Sequence, residues 1–101
     1  MSDPTLIKLF RPEEWAQFER DGVFHGSPDD VRDGFIHLST AEQAPGTLAR
    51  HFAGVDGVVH ARVTLDATLE PHLRWETAKN GEDYPHLFAP LPLSCVERVD
   101  P

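Results

Sequence analysis

Apolar residues fall in short blocks along the chain, and the spacing inside each block predicts its element. Thr5 to Phe10 (TLIKLF) is apolar apart from Lys8 and predicts a first strand that stops at Arg11-Pro12. Pro12 suits the first turn of a helix and Glu13-Glu14 complement its positive end. Arg11 to Asp21 is therefore predicted helical, with Trp15 and Phe18 on its apolar face. Asp21-Gly22 turns the chain into a short strand at Val23 to His25, and Ser27-Pro28-Asp29-Asp30 predicts a capped helical turn before Asp33-Gly34. From Phe35 to Ser39 alternate side chains share a face, so Ile36 and Leu38 point one way while Phe35, His37 and Ser39 point the other.

Thr40 opens Thr-Ala-Glu-Gln, in which the hydroxyl can cap the next helix and Gln43 can return to the cap's own amide. Pro45 has no amide for the helical ladder, so one turn at Ala41 to Ala44 and a longer helix from Pro45 to Phe52, ended by Gly54, are expected. Gly57 to Leu65 alternates with Val59, Ala61, Val63 and Leu65 inward, the mark of a half-buried strand. A loop at Asp66 to Pro71 precedes a strand at His72 to Glu76. Asn80-Gly81 signals a hairpin turn inside Thr77 to Asp83, and Tyr84 to Phe88 returns. Pro90 and Pro92 bracket Leu91 as an extended crossing, and Leu93 to Val99 completes the sheet. Most helices come early and most strands late. That order predicts an α+β domain with a largely antiparallel, bent sheet of six or seven strands and two or three short helices.

The length of 101 residues predicts a single domain over 1–101, whose core removes roughly two thirds of the unfolded chain's surface from water. No run approaches a membrane span or a signal-peptide core, so a cytoplasmic protein with no membrane partner is expected. Cys95 stands alone in an apolar strand, which excludes a disulfide framework and a thiolate metal cluster and predicts a buried, inert thiol. A formal charge of -8 excludes nonspecific DNA binding, because the bulk surface lacks the basic groups that release counterions. A local basic pocket is compatible with that charge.

Candidate chemistry sits at three places. The junction at Gly34 to Gln43 offers His37, the hydroxyls of Ser39 and Thr40, and Gln43, the groups that hold an anion or poise a reacting oxygen. Capping accounts equally for the hydroxyls, and a core hydrogen bond for the imidazole. In Arg74-Trp75-Glu76, period two puts Arg74 and Glu76 on one face, for an anion and a base or for a plain surface ion pair. Tyr84 and His86 share a face around Pro85, and Arg50 lies one helical turn after Gly46, whose small size leaves room beside the guanidinium. The histidines lack metal-ligand spacing, no metal or cofactor is required, and Ser39 lacks the Gly-x-Ser-x-Gly elbow.

Taken together, Gly-Phe-Ile-His-Leu-Ser-Thr-Ala-Glu-Gln (34 to 43), Arg-His-Phe-Ala-Gly (50 to 54), Leu-Arg-Trp-Glu (73 to 76) and Tyr-Pro-His-Leu-Phe-Ala-Pro-Leu-Pro-Leu (84 to 93) resemble a small bacterial family, domain of unknown function 952. The resemblance implies a split fold similar to the ADP-ribosyltransferases, with NAD as a substrate gripped between two half-sheets. On that footing Lys8 takes the first-strand place, where Lys replaces the usual arginine or histidine. His37 with Ser39 and Thr40 takes the middle strand, and Glu76 the later glutamate. The implied reaction is glycosyl (ADP-ribosyl) transfer or NAD hydrolysis, through an oxocarbenium-like state. His37, Ser39 and Glu76 would be catalytic. Lys8, Thr40, Gln43, Arg50, Arg74, Tyr84 and His86 would bind the ligand. A noncatalytic module, holding a small anionic ligand or a protein in the same cleft, is the alternative. A third reading makes His37, Arg74, Glu76 and His86 one buried hydrogen-bond network with no ligand.

Overall fold

The computed structural model describes residues 4–99; the ends of the expected domain, 1–3 and 100–101, lie outside the described residues. Strand β1 (Leu6–Phe10) is buried at every position, because it runs between two partners and has packed layers on both faces. It pairs along its whole length with β5 (Val59–Val63) and through Leu6 and Ile7 with β4 (Ser39–Thr40). With β9 (Val96–Arg98) beyond β5, the first sheet has the order β4-β1-β5-β9. A second sheet has the order β3-β7-β6, from β3 (Ile36–His37), β7 (Asp83–Leu87) and β6 (Leu73–Thr77). A third joins β2 (Val23–Phe24) to β8 (Leu91–Pro92), and every pairing is antiparallel. The fold is α+β, as expected.

Three α-helices among the described residues complete it: α1 (Pro12–Asp21), α2 (Pro28–Asp33) and α3 (Ala44–His51). Proline stands in the first turn of each, where its missing amide costs nothing, and Gly22 and Gly34 end α1 and α2 in left-handed conformation. Pro45 therefore belongs to the first turn of α3, which starts one residue earlier than expected and is preceded by a turn over 41–43.

The single bent sheet of six or seven strands is corrected to nine short strands in three sheets among the described residues. Two segments account for most of the difference. Phe35 to Ser39 is cut at Leu38: the amide of Leu38 still donates to the carbonyl of Pro85 in β7, while Ser39 and Thr40 already pair with β1. One extended segment thus leaves one sheet for another. Leu93 to Val99 begins with a 3-10 turn, Leu93–Cys95, before β9, and Leu91–Pro92 pairs with β2 instead of merely crossing. His72 belongs to a 3-10 turn, Glu70–His72, and not to β6.

The core follows the predicted faces. Phe10, Trp15, Phe18 and Phe24 pack ring to ring at 5.0–5.7 Å, and Ile36, Leu38, Leu87 and Leu91 join them. A smaller cluster on the other face of β1, Ile7 and Leu9 with Ala44, Leu48 and Phe52, docks α3. Cys95 is a buried free thiol. No helix among the described residues is long and apolar enough to cross a membrane.

Candidate functional site

Lys8 is the one charge in β1, and it is buried between the positions of Leu6 and Phe10 on the core-facing side. An ammonium there requires a partner. The partner is Asp30, in the first turn of α2, whose Oδ2 accepts from Nζ at 3.0 Å and from the Ser27 amide at 2.9 Å. Asp30 Oδ1 accepts from the His37 amide at 3.1 Å and lies 2.6 Å from Nδ1 of the same residue. All four acceptor positions of the carboxylate are filled. Burial by itself would raise the Asp30 pKa. The bond to the His37 ring, the Lys8 charge and the two amides more than reverse this and hold the carboxyl well below the usual carboxylate range. The chain of contacts continues outward, because Nε2 of His37 lies 3.0 Å from Oδ2 of Asp33. Asp33 is also held low, first by its hydrogen bond from Arg32. Lys8 donates further to the carbonyl of His37 at 2.9 Å, tying β1, α2 and β3 together.

His86 stands opposite His37 in the β3–β7 pairing and opposite Arg74 in the β7–β6 pairing. Its Nδ1 lies 2.6 Å from Oε1 of Glu76, two residues beyond Arg74 on β6 and so on the same face. Phe35 stacks on its ring at 4.0 Å between centroids, and the ring of His37 meets it edge-on at 5.5 Å. Arg74 does not join this group; its guanidinium covers the ring of Phe88.

Arg50 and Tyr84 meet on the other side. Arg50 runs back along α3 past Gly46, where a Cβ would stand 3.2 Å from its Nη1, so the missing side chain leaves the room expected from the sequence. It donates to the hydroxyl of Tyr84 at 3.0 Å, and Asn80 of the β6–β7 turn donates to the same oxygen at 3.0 Å. A phenolic oxygen that accepts twice keeps its own proton to give elsewhere.

These groups line one cleft of about 580 Å³, walled by β1, α2, the β3–β4 segment, α3 and the β6–β7 hairpin. Of the residues expected at the site, Lys8, His37, Ser39, Arg50, Tyr84 and His86 line it. Four do not. Glu76 reaches the cleft only through His86, and Arg74 is turned to Phe88. Thr40 and Gln43 are absorbed by the reciprocal cap, each side chain bonding the other's amide at 3.1 Å, while Gln43 also donates to the carbonyl of Asp83. Ser39 lines the wall, but its residue is only 4% exposed and its hydroxyl is bonded to that of Thr47 at 2.9 Å. Sequence reasoning passed over Asp30, which reads as an ordinary capping residue; the signal for it was Lys8, a cation that no apolar strand can bury alone. Among the described residues no group of three or more His, Cys, Asp or Glu is arranged to hold a metal.

The family described as "Protein of unknown function (DUF952)" matches residues 9–99. The chain belongs to the DUF952 family. Every site residue except Lys8 falls inside the matched stretch. The fold of this DUF952 protein is similar to the crystal structure of protein CC0527 from Caulobacter crescentus, with a TM-score of 0.84 at 37% identity, covering 95% of this chain and 86% of that one. The solution structure of CC0527 gives a TM-score of 0.79 at 39% identity, over 93% of this chain and 80% of that one. Among curated proteins, none matches.

Proposed function

We propose that the cleft binds a small anionic ligand of the nucleotide class, NAD or a relative, with its phosphates at Arg50, Tyr84 and Lys79 and its sugar toward His37 and His86. The observation that carries this reading is the excess of hydrogen-bond donors at the Tyr84 end of the cleft. Arg50 and Lys79 have no carboxylate partner among the described residues, and the Tyr84 hydroxyl, which already accepts twice, has its own proton to give; the amide of Asn80 is used between Tyr84 and the carboxylate of Glu82. In a protein of net charge -8, such a cluster favours an incoming anion. The opposite end has no cation to spare: Lys8 is matched by Asp30, and Arg32 by Asp29 and Asp33. The cleft also draws its walls from both larger sheets, an arrangement that supports the ADP-ribosyltransferase-like reading of the split fold.

The noncatalytic alternative draws on Ser39, whose hydroxyl is occupied by Thr47 and has no histidine within bonding distance. Binding is tested first. NAD and ADP-ribose at millimolar concentration are expected to raise the melting temperature by several degrees, since a ligand selective for the native state stabilises it by mass action. Arg50→Ala should weaken ADP-ribose binding about 10- to 100-fold, the worth of a hydrogen bond to a charged group, while the unliganded melting temperature stays within a few degrees. A flat response to NAD, ADP-ribose and inorganic phosphate alike would overturn the reading.

A further inference from the structure

We infer that His86 is a proton acceptor in the cleft, with Glu76 as its positioning residue, and that the bound nucleotide is hydrolysed. This rests on the nucleotide reading of the cleft and adds a reaction to it. The geometry is that of an oriented imidazole. Glu76 only accepts, so the proton of the neutral ring belongs on Nδ1, 2.6 Å from Oε1, and the lone pair belongs on Nε2. Nε2 has no hydrogen-bond partner among the described residues, and His86 lines the cleft with 15% of its side chain exposed.

Two further contacts fix the ring. Phe35 covers one face at 4.0 Å with planes 16° apart, and His37 abuts its edge. A plain cross-strand ion pair would leave the histidine free to turn. Here the carboxylate sits on the exposed side, with Glu76 46% exposed, while the imidazole is packed inward and lines the hollow. Catalytic imidazoles are held in this way by a carboxylate behind them.

The step balances with water as the second reactant. Nε2 accepts one proton from a water molecule as its oxygen bonds to the anomeric carbon of the ribose. The bond from that carbon to the ring nitrogen of the base breaks, and its electron pair leaves with the nitrogen. In a nicotinamide dinucleotide that nitrogen is already cationic and departs neutral, so no acid is needed on the leaving side. The imidazolium then returns its proton to solvent. The products are nicotinamide, ADP-ribose and one proton.

The test measures nicotinamide release from NAD beside ADP-ribose binding, on the same purified protein between about pH 5 and 8, where imidazoles change charge. The charged or titratable groups that face His86 are Glu76 and Arg74 on β6, His37 on β3 and Tyr84 on its own strand. Wild-type release should fall as the pH is lowered and the acceptor fills. His86→Asn should lower release by at least about 100-fold, well beyond any loss of ADP-ribose affinity. Glu76→Gln keeps the ring in place but can offer Nδ1 an N–H, which would move the proton to Nε2. It should lower release about 10-fold or more and alter the acid limb, and it carries the test if His86→Asn fails to fold. Release unchanged in both variants overturns the proposal. So does wild-type protein that binds ADP-ribose and releases no nicotinamide, an outcome that leaves the binding reading standing. Absence of any nucleotide binding removes both.

Discussion

Replacing Asp30 by Asn would leave the Lys8 ammonium buried against apolar side chains with its counter-charge gone. Breaking a buried pair from one side costs about 3–5 kcal/mol, whereas replacing both partners with apolar groups costs far less. Asp30→Asn should therefore destabilise strongly in urea unfolding, and Lys8→Met with Asp30→Leu by less than the sum of the two single changes. The pH dependence follows from the same carboxylate. Its folded pKa lies below the unfolded value of about 3.9, so the stability it contributes is complete above that value. That contribution should be lost as the pH falls from about 4 through the folded value, and this part of the acid limb should be missing in the double variant. At this scale the sequence spoke clearly of His37 and Lys8, since a polar group in an apolar strand must be explained. It did not name Asp30 as the partner of either, although the network reading sets Glu76 with His86. Asp30 comes from a capping box and Glu76 from a hairpin, and only the fold decides that one meets His37 and the other His86.

Among the elements, α2 matters beyond its six residues, because it delivers Asp30 to β1 and Asp33 to β3. Gly26, just before it, is held at φ +121°, and a Cβ there would stand 2.8 Å from the Cβ of Asp30. Gly26→Ala should cost about 1–3 kcal/mol and weaken nucleotide binding, as Asp30 must shift. Gly34→Ala, with a left-handed φ but open space, should cost only about 1–2 kcal/mol and leave binding alone. Chemical denaturation and titration of both variants would separate strain from displacement. Helices α1 and α2 were legible because proline, acidic residues and glycine mark their ends. The β3–β4 segment was less so: alternation gives the faces of Phe35 to Ser39 but carries no information on which strand lies beside each half.

The whole molecule places its cleft between a large core and a small one. Helix α3 is docked by a few apolar contacts around Ile7 and Leu9 and by the Ser39–Thr47 bond, whereas β5 is paired on both sides. Amide exchange should accordingly be faster in α3 than in β5, and a ligand that joins Arg50 to Tyr84 should slow it in α3 most. Exchange unaffected by a bound nucleotide would argue against a ligand at Arg50. Fold class was readable from the order of periodicities, but the division into three sheets was not, because two-residue strands leave no periodic trace. One consequence of Lys8 reaches the entire architecture. Leu-Ile-Lys-Leu-Phe is otherwise greasy on both sides, so hydrophobicity alone would let the ribbon slide by one residue against its neighbours with little penalty. A slip would thrust the ammonium among Ile7's companions and set a hydrocarbon against Asp30. The lone cation thus serves as a registration pin, fixing the alignment from which every other strand takes its place.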